Sequence, residues 1–277
     1  MQQITIRSAD GLSVEILPEK GATVVEIRKD GVPFLYRDDS NLASSERPRC
    51  GIPFLFPCFG RMKEEQYQWN GKHYPMAIHG FGHTSVWNVE SKQEDKLVLS
   101  LGSDDNILAM YPFRFRVTLT FTAENGTLRI CQDYENLDTV PLPYHFGFHP
   151  YFLTDKPENL QVTADADARI DFATGQLIPF GHGTIALSEP ENAPEVGAAL
   201  AGLKSPVVLE DAQAGRKLTM SFSPDFPQLI LWHPKGVPFV CVEPINGTPN
   251  GFNTGNYLTL QPGEHKTVWL EIHPEIL

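Results

Sequence analysis

The chain has 277 residues, 41% of them hydrophobic, which is enough to bury a large core. Thirty-four acidic residues outweigh 22 basic ones for a formal net charge of −12, which argues against nucleic acid and anionic membrane surfaces as partners. Four cysteines without a CxxC pair, a polar N-terminus and no apolar run near the roughly 20 residues of a membrane span predict reduced thiols in a cytoplasmic protein.

Period-two alternation predicts strands over Gln3–Ile6, Leu12–Ile16 and Ala22–Ile27. Asp30-Gly31, Asn70-Gly71 and Asn125-Gly126 are dipeptides that tolerate positive φ and close hairpins. A short helix is predicted over Ser103–Met110, with Ser103 or Asp104 as N-cap and Pro112 as the stop. Phe115–Phe121 places apolar residues at odd positions and polar ones at even positions, one buried face and one wet face. Leu128–Tyr134 is a further strand, a second short helix is predicted over Pro194–Leu203, and Leu218–Phe222 and Thr267–Ile272 are the last clear strands. No βα alternation or glycine-rich phosphate loop follows any strand, which removes nucleotide folds. The pattern predicts an all-β chain: one large antiparallel β-sandwich domain over residues 1–277, with a few short helices.

Three polar islands interrupt the apolar sequence. The first runs from Gly51 through Ile-Pro-Phe-Leu-Phe-Pro-Cys-Phe-Gly to Arg61, then reaches His79-Gly80-Phe81-Gly82-His83. Arg61 either snorkels to water or holds its planar fork for hydroxyl or anion recognition. The second is Tyr144-His145-Phe146-Gly147-Phe148-His149-Pro150-Tyr151-Phe152. His145 and His149 share parity, so an extended chain would point both to one face. Its aromatics serve equally as plain core or as the apolar surface a pyranose needs beside a proton donor. The third runs from Phe239 through Glu243 to Asn250-Gly251. Glu243 ends an apolar run, where a carboxylate is either hydrogen-bonded to turn amides or tuned for general-base work. His79/His83 and His145/His149 have i, i+4 spacing, but glycines lie between both pairs and nothing completes a ligand set, so no metal is expected.

In this order and spacing, the islands resemble the aldose 1-epimerase (galactose mutarotase-like) family. The resemblance extends to Tyr74-Pro75, Val242-Glu243-Pro244 and the stretch Leu260 to Glu264, and so covers nearly the whole chain. It implies a β-supersandwich with an open cleft for a sugar and no cofactor. It also implies that His149 is the general acid, Glu243 the general base, His79 a second histidine holding the ring and its developing charge, and Arg61 the hydroxyl-binding arginine. One departure stands out. Relatives, including hexose-6-phosphate mutarotases, commonly read HGFAR where this chain has His83 as the last residue, which weakens a phosphorylated-sugar assignment.

The implied activity is interconversion of the α and β anomers of an aldose by acid–base ring opening, with a small-molecule sugar as partner and the protein a monomer or homodimer. A carbohydrate-binding or regulatory protein that kept the cleft and lost turnover is the alternative. A glycoside hydrolase or lyase on a similar sandwich ranks third, because hydrolysis normally wants two carboxylates and only Glu243 stands out.

Overall fold

Asp30-Gly31, Asn70-Gly71 and Asn125-Gly126 carry positive φ at both residues, which suits a two-residue hairpin loop. Each joins antiparallel neighbours, pairing Lys29 with Val32, Trp69 with Lys72 and Glu124 with Thr127. The computed structural model describes residues 2–171, 175–187 and 195–277. Among the described residues the strands far outnumber the helices, and every paired strand is antiparallel to its neighbour. The all-β sandwich expected from the pattern is therefore observed.

A 14-stranded sheet forms the body. Its path starts at Phe54–Leu55 and crosses Phe146–Phe148, Phe239–Asn246, Gln228–Pro234 and Glu195–Asp211. It continues through Arg216–Phe222, His265–Ile276, Thr127–Asn136, Phe115–Glu124 and Lys96–Gly102 to the edge strand Asn88–Lys92. A four-stranded sheet of Ile4–Arg7, Leu12–Leu17, Thr23–Lys29 and Val32–Pro33 packs against Phe115–Glu124 and His265–Ile276. Phe115, Val117, Leu119 and Phe121 face the core between these layers, the odd-numbered face the alternation predicts. Stacked and tilted aromatics, among them Phe54, Phe56, Phe115 and Tyr134, fill its centre.

The first helix prediction holds. Asp105–Met110 is helical, and the Asp104 carboxylate caps it by accepting from the Ile107 N–H at 2.8 Å. The second does not. Pro194 lies outside the described residues, and the rest of that stretch belongs to the strand Glu195–Asp211. Ala198 to Leu203 favour a helix by local propensity, but residues 195–201 pair with Gln228–Pro234 while 199–210 pair with Gln161–Ile170. Pairing along both edges overrides a preference worth only tenths of a kcal/mol per residue.

Candidate active site

Glu243 sits on the strand Phe239–Asn246, opposite Ile230 in the register. This strand is buried along almost its whole length, because neighbours cover both of its faces. His149 follows the strand Phe146–Phe148 at a break enforced by Pro150, which has no N–H for a ladder. The freed groups are answered across the sheet: the His149 N–H donates to the Pro53 carbonyl at 3.0 Å, and the Val242 N–H donates to the Pro150 carbonyl at 3.3 Å. The break turns the imidazole toward Glu243, with His149 Nε2 lying 3.4 Å from Glu243 Oε1.

His79 stands on a loop at φ 64°, a left-handed conformation that side chains rarely adopt. Two bonds hold it there. The His79 N–H donates to the Gly60 carbonyl at 2.9 Å, and the Gly60 N–H donates to His79 Nδ1 at 3.1 Å. Gly80 then passes so close to Phe56 that a Cβ would lie 2.3 Å from its carbonyl oxygen. The sequence Gly60…His79-Gly80 is thus a matched pair of turns that delivers one imidazole beside another. The rings of His79 and His149 are perpendicular, with centroids 5.4 Å apart.

These three residues line one cleft of about 710 Å³. Its walls also carry Tyr36, Arg47, Arg49, Tyr151, Trp232 and Phe239. Tyr151 stacks on the His149 ring at 4.8 Å, and Phe239 bridges Tyr36 and Tyr151 with centroid distances of 4.9 Å to each. The result is an aromatic wall beside a carboxyl–imidazole pair, suited to the C–H face of a ring with a polar edge.

Electrostatics favour neutral forms. Burial pushes the His149 imidazole down to about 3, helped by the nearby Arg47 charge. Burial also raises the Glu243 carboxyl well above its ordinary range, against the pull of Arg47. His79 is lowered by burial first, then by His149, His83, Arg47 and Arg61. With Nδ1 accepting from Gly60, neutral His79 carries its proton on Nε2 and is a donor. A carboxylic acid beside a neutral imidazole holds as many protons as a carboxylate beside an imidazolium. The two forms of the Glu243–His149 pair would therefore differ by one short proton transfer across their contact.

Arg61 is placed differently. Its side chain is 59% exposed, pairs with Glu65, and is not among the residues lining the cleft, although its charge reaches His79. His83 is buried behind the cleft wall with Nδ1 unpartnered, and burial pushes it down to about 3. His145 and His149 do not share a site. His145 Nε2 contacts the Asn256 carbonyl at 2.7 Å and its ring packs on Phe252. The parity argument fails because Leu142–Tyr144 and Phe146–Phe148 belong to different sheets, so the chain is not one extended strand through His145. Among the described residues, no three His, Cys, Asp or Glu side chains converge as a metal-ligand set.

Arg47, Arg49, Tyr36 and Trp232 were not singled out from sequence. The first two had a signal: guanidiniums on either side of Pro48, entering an apolar run just before Gly51. Tyr36 and Trp232 had none, since their convergence depends on distant strands.

The family model for aldose 1-epimerase matches residues 2–273. Protein LacX (plasmid) of Lactococcus lactis subsp. lactis is 24% identical over 279 residues, covering 88% of this chain and 87% of that relative. The crystal structure of Slr1438 from Synechocystis sp. PCC 6803 superposes with a TM-score of 0.89 at 26% identity, over 100% of this chain and 96% of that one. The structure of galactose 1-epimerase from Lactobacillus acidophilus NCFM shares the fold, with a TM-score of 0.77 at 18% identity over 99% and 94% of the two chains.

Proposed function

This chain belongs to the aldose 1-epimerase family, and from that premise we propose that it is a mutarotase, interconverting the α and β anomers of an aldose with Glu243 and His149 as its proton-transfer pair. The observation that carries the reading is their 3.4 Å contact inside a cleft with an aromatic wall. A sugar seated there presents its anomeric hydroxyl and ring oxygen, two atoms bonded to the same carbon, to two groups already in contact.

Glu243, as carboxylate, takes the proton from the anomeric hydroxyl while His149, as imidazolium, gives one to the ring oxygen. The C1–O5 bond breaks, and the open-chain aldehyde leaves Glu243 protonated and His149 neutral. That is the form of the pair that burial favours, so the ring-opened stage is the one the cleft stabilises. Rotation about C1–C2 presents the other face, and closure returns both protons. Each positioned acid or base contributes roughly 10²- to 10⁴-fold in rate. His79 steadies the ring oxygen through its Nε2 proton. No cofactor enters any step.

Anomer exchange followed by polarimetry or NMR tests the reading. Glu243→Gln and His149→Asn each slow it at least about a hundredfold while the fold is kept. Saturable sugar binding with no exchange in the unaltered protein would instead make the chain a carbohydrate-binding protein.

A further inference from the structure

The strand Phe239–Asn246, which carries Glu243, runs on into a loop over residues 247–256 that contains the short helix Gly251–Thr254. Asn250 stands at φ 61°, a left-handed conformation that asparagine tolerates. It ties the loop to the segment after Gly60: its N–H donates to the Arg61 carbonyl at 3.1 Å, and its Oδ1 accepts from the Lys63 N–H at 2.9 Å. Asn253 adds a second tie, accepting from the Gln68 N–H at 3.2 Å and donating to the Gln66 carbonyl at 2.9 Å. Beside these ties Pro249 lies so close to Gly60 that a Cβ there would stand 2.9 Å from the proline side chain. Gly60 is the residue whose N–H and carbonyl hold His79. The backing of that imidazole therefore comes from the loop that follows the strand of Glu243.

His145 is anchored to both sides of this contact. Its N–H donates at 2.7 Å to the carbonyl of Pro57, on the run that leads into Gly60. Its Nε2 lies 2.7 Å from the Asn256 carbonyl, which can only accept, so Nε2 carries the proton. The ring sits between two glycines of the loop: a Cβ on Gly247 would lie 2.5 Å from Nδ1, and one on Gly251 would lie 2.4 Å from Cε1. Nδ1 is buried and, among the described residues, has no hydrogen-bond partner. A bare ring nitrogen removed from water costs free energy. A phenyl ring would fill the same space without that cost, so what the imidazole adds is its bond to the loop. His145 is not among the residues lining the cleft.

We propose that His145 is a positioning residue for anomer exchange: it fixes residues 247–256 against Gly60, and Gly60 thereby keeps His79 bare at Nδ1 and protonated at Nε2. Three contacts carry the effect, the His145–Asn256 bond, the packing of Pro249 on Gly60 and the Gly60–His79 bond. The inference rests on the mutarotase reading, in which His79 steadies the ring oxygen, and adds to it a residue that never touches the sugar.

Anomer-exchange kinetics and nitrogen NMR of the histidine rings test it together. His145→Phe keeps a ring and deletes the donor. Its kcat is expected to fall about tenfold with KM within about twofold, while the His79 Nδ1 and Nε2 signals move toward each other as the second tautomer becomes populated. His145→Gln keeps an N–H donor on a flexible side chain and recovers kcat to within about threefold of the unaltered protein. Pro249→Gly, at an exposed position, removes the side chain that touches Gly60 and leaves the His145 bond in place. It shows the same two changes, about threefold in kcat, and decides the matter where His145→Phe does not fold. In a protein that exchanges anomers, a loss of kcat without the tautomer change, or the tautomer change without a loss, overturns the assignment, as does the absence of both. A glutamine variant no faster than the phenylalanine one overturns it as well. In each of these cases the mutarotase reading stands. If the unaltered protein exchanges no sugar, that reading fails, and the nitrogen spectra alone decide whether His145 holds His79.

Discussion

Gly60 and His79 hold each other through a reciprocal pair of bonds, Gly60 N–H to His79 Nδ1 at 3.1 Å and His79 N–H to the Gly60 carbonyl at 2.9 Å. The pair fixes the tautomer of an imidazole that, among the described residues, has no carboxylate bonded to its Nδ1. Nitrogen NMR of the histidine rings is expected to show His79 protonated at Nε2 and bare at Nδ1 near neutral pH. His79→Asn keeps a residue that tolerates positive φ and a side-chain oxygen able to accept from Gly60. It folds, and it exchanges anomers about 10- to 100-fold more slowly, because the Nε2 donor is gone.

Gly80 is the neighbour that makes this placement possible. With φ at 76° and a would-be Cβ 2.3 Å from the Phe56 carbonyl, Gly80→Ala meets both backbone strain and a clash with main chain. A loss of at least about 2 kcal/mol in urea unfolding is expected, with activity falling further than for a distant variant of equal stability. An unchanged midpoint would show that the loop does not hold His79 as described.

Acid sensitivity follows from the buried imidazoles. Burial lowers His79, takes His83 and His149 to about 3, and takes His145 to about 4. These values lie below the ordinary 6.5, so the unfolded chain binds more protons than the folded one between those limits. The stability they contribute is complete above about pH 6.5 and is lost as pH falls toward their folded values. Each adds a slope of up to about 1.4 kcal/mol per pH unit, so unfolding free energies from urea titrations at pH 7 and pH 5 should differ by several kcal/mol, with the midpoint lower at pH 5. Equal midpoints would contradict the neutral assignment.

Glu243 has the opposite sign. Its carboxyl is raised by burial, so the stability tied to it is present below the ordinary carboxylate range and is lost as pH rises through its raised folded value. Glu243→Gln keeps the shape and removes the charge. It is expected to unfold at a urea concentration no lower than the unaltered protein at pH 8, with a gain of up to about 2 kcal/mol, while losing activity. A variant clearly less stable at pH 8 would show that a charged Glu243 is part of what holds the fold.

Arg61 lies at the other extreme of burial. Its pairing with Glu65 is exposed, so Arg61→Ala changes stability by no more than about 0.5 kcal/mol. If it holds a sugar hydroxyl, KM rises about tenfold with kcat kept. A fall in kcat alone would move Arg61 from binding to catalysis.

The sequence was most informative where local chemistry decides the outcome. Asn125-Gly126 fixes a hairpin because few other residues accept that φ, and Asp104 caps a helix whose last turn Pro112 follows. His79, His149 and Glu243 were legible because polar groups in apolar runs stand out, and the structure brings them into one cleft. Local reading failed where long-range pairing decides. The strand Glu195–Asp211 looks helical until both its edges are filled, and His145 leaves the company of His149 because two sheets divide the chain between them. Arg47 and Arg49 carried a signal in flanking Pro48 just before Gly51, but only the packed chain shows that they line the cleft.

That Glu243 and His149 handle one proton as a unit is tested most directly by anomer-exchange rates for Glu243→Gln, His149→Asn and the double variant. Two slow single variants are expected, with the double only a few-fold slower than the slower of them, because removing either partner disables the other. Rates near that of the unaltered protein in either single variant, or losses that multiply fully in the double, would contradict it.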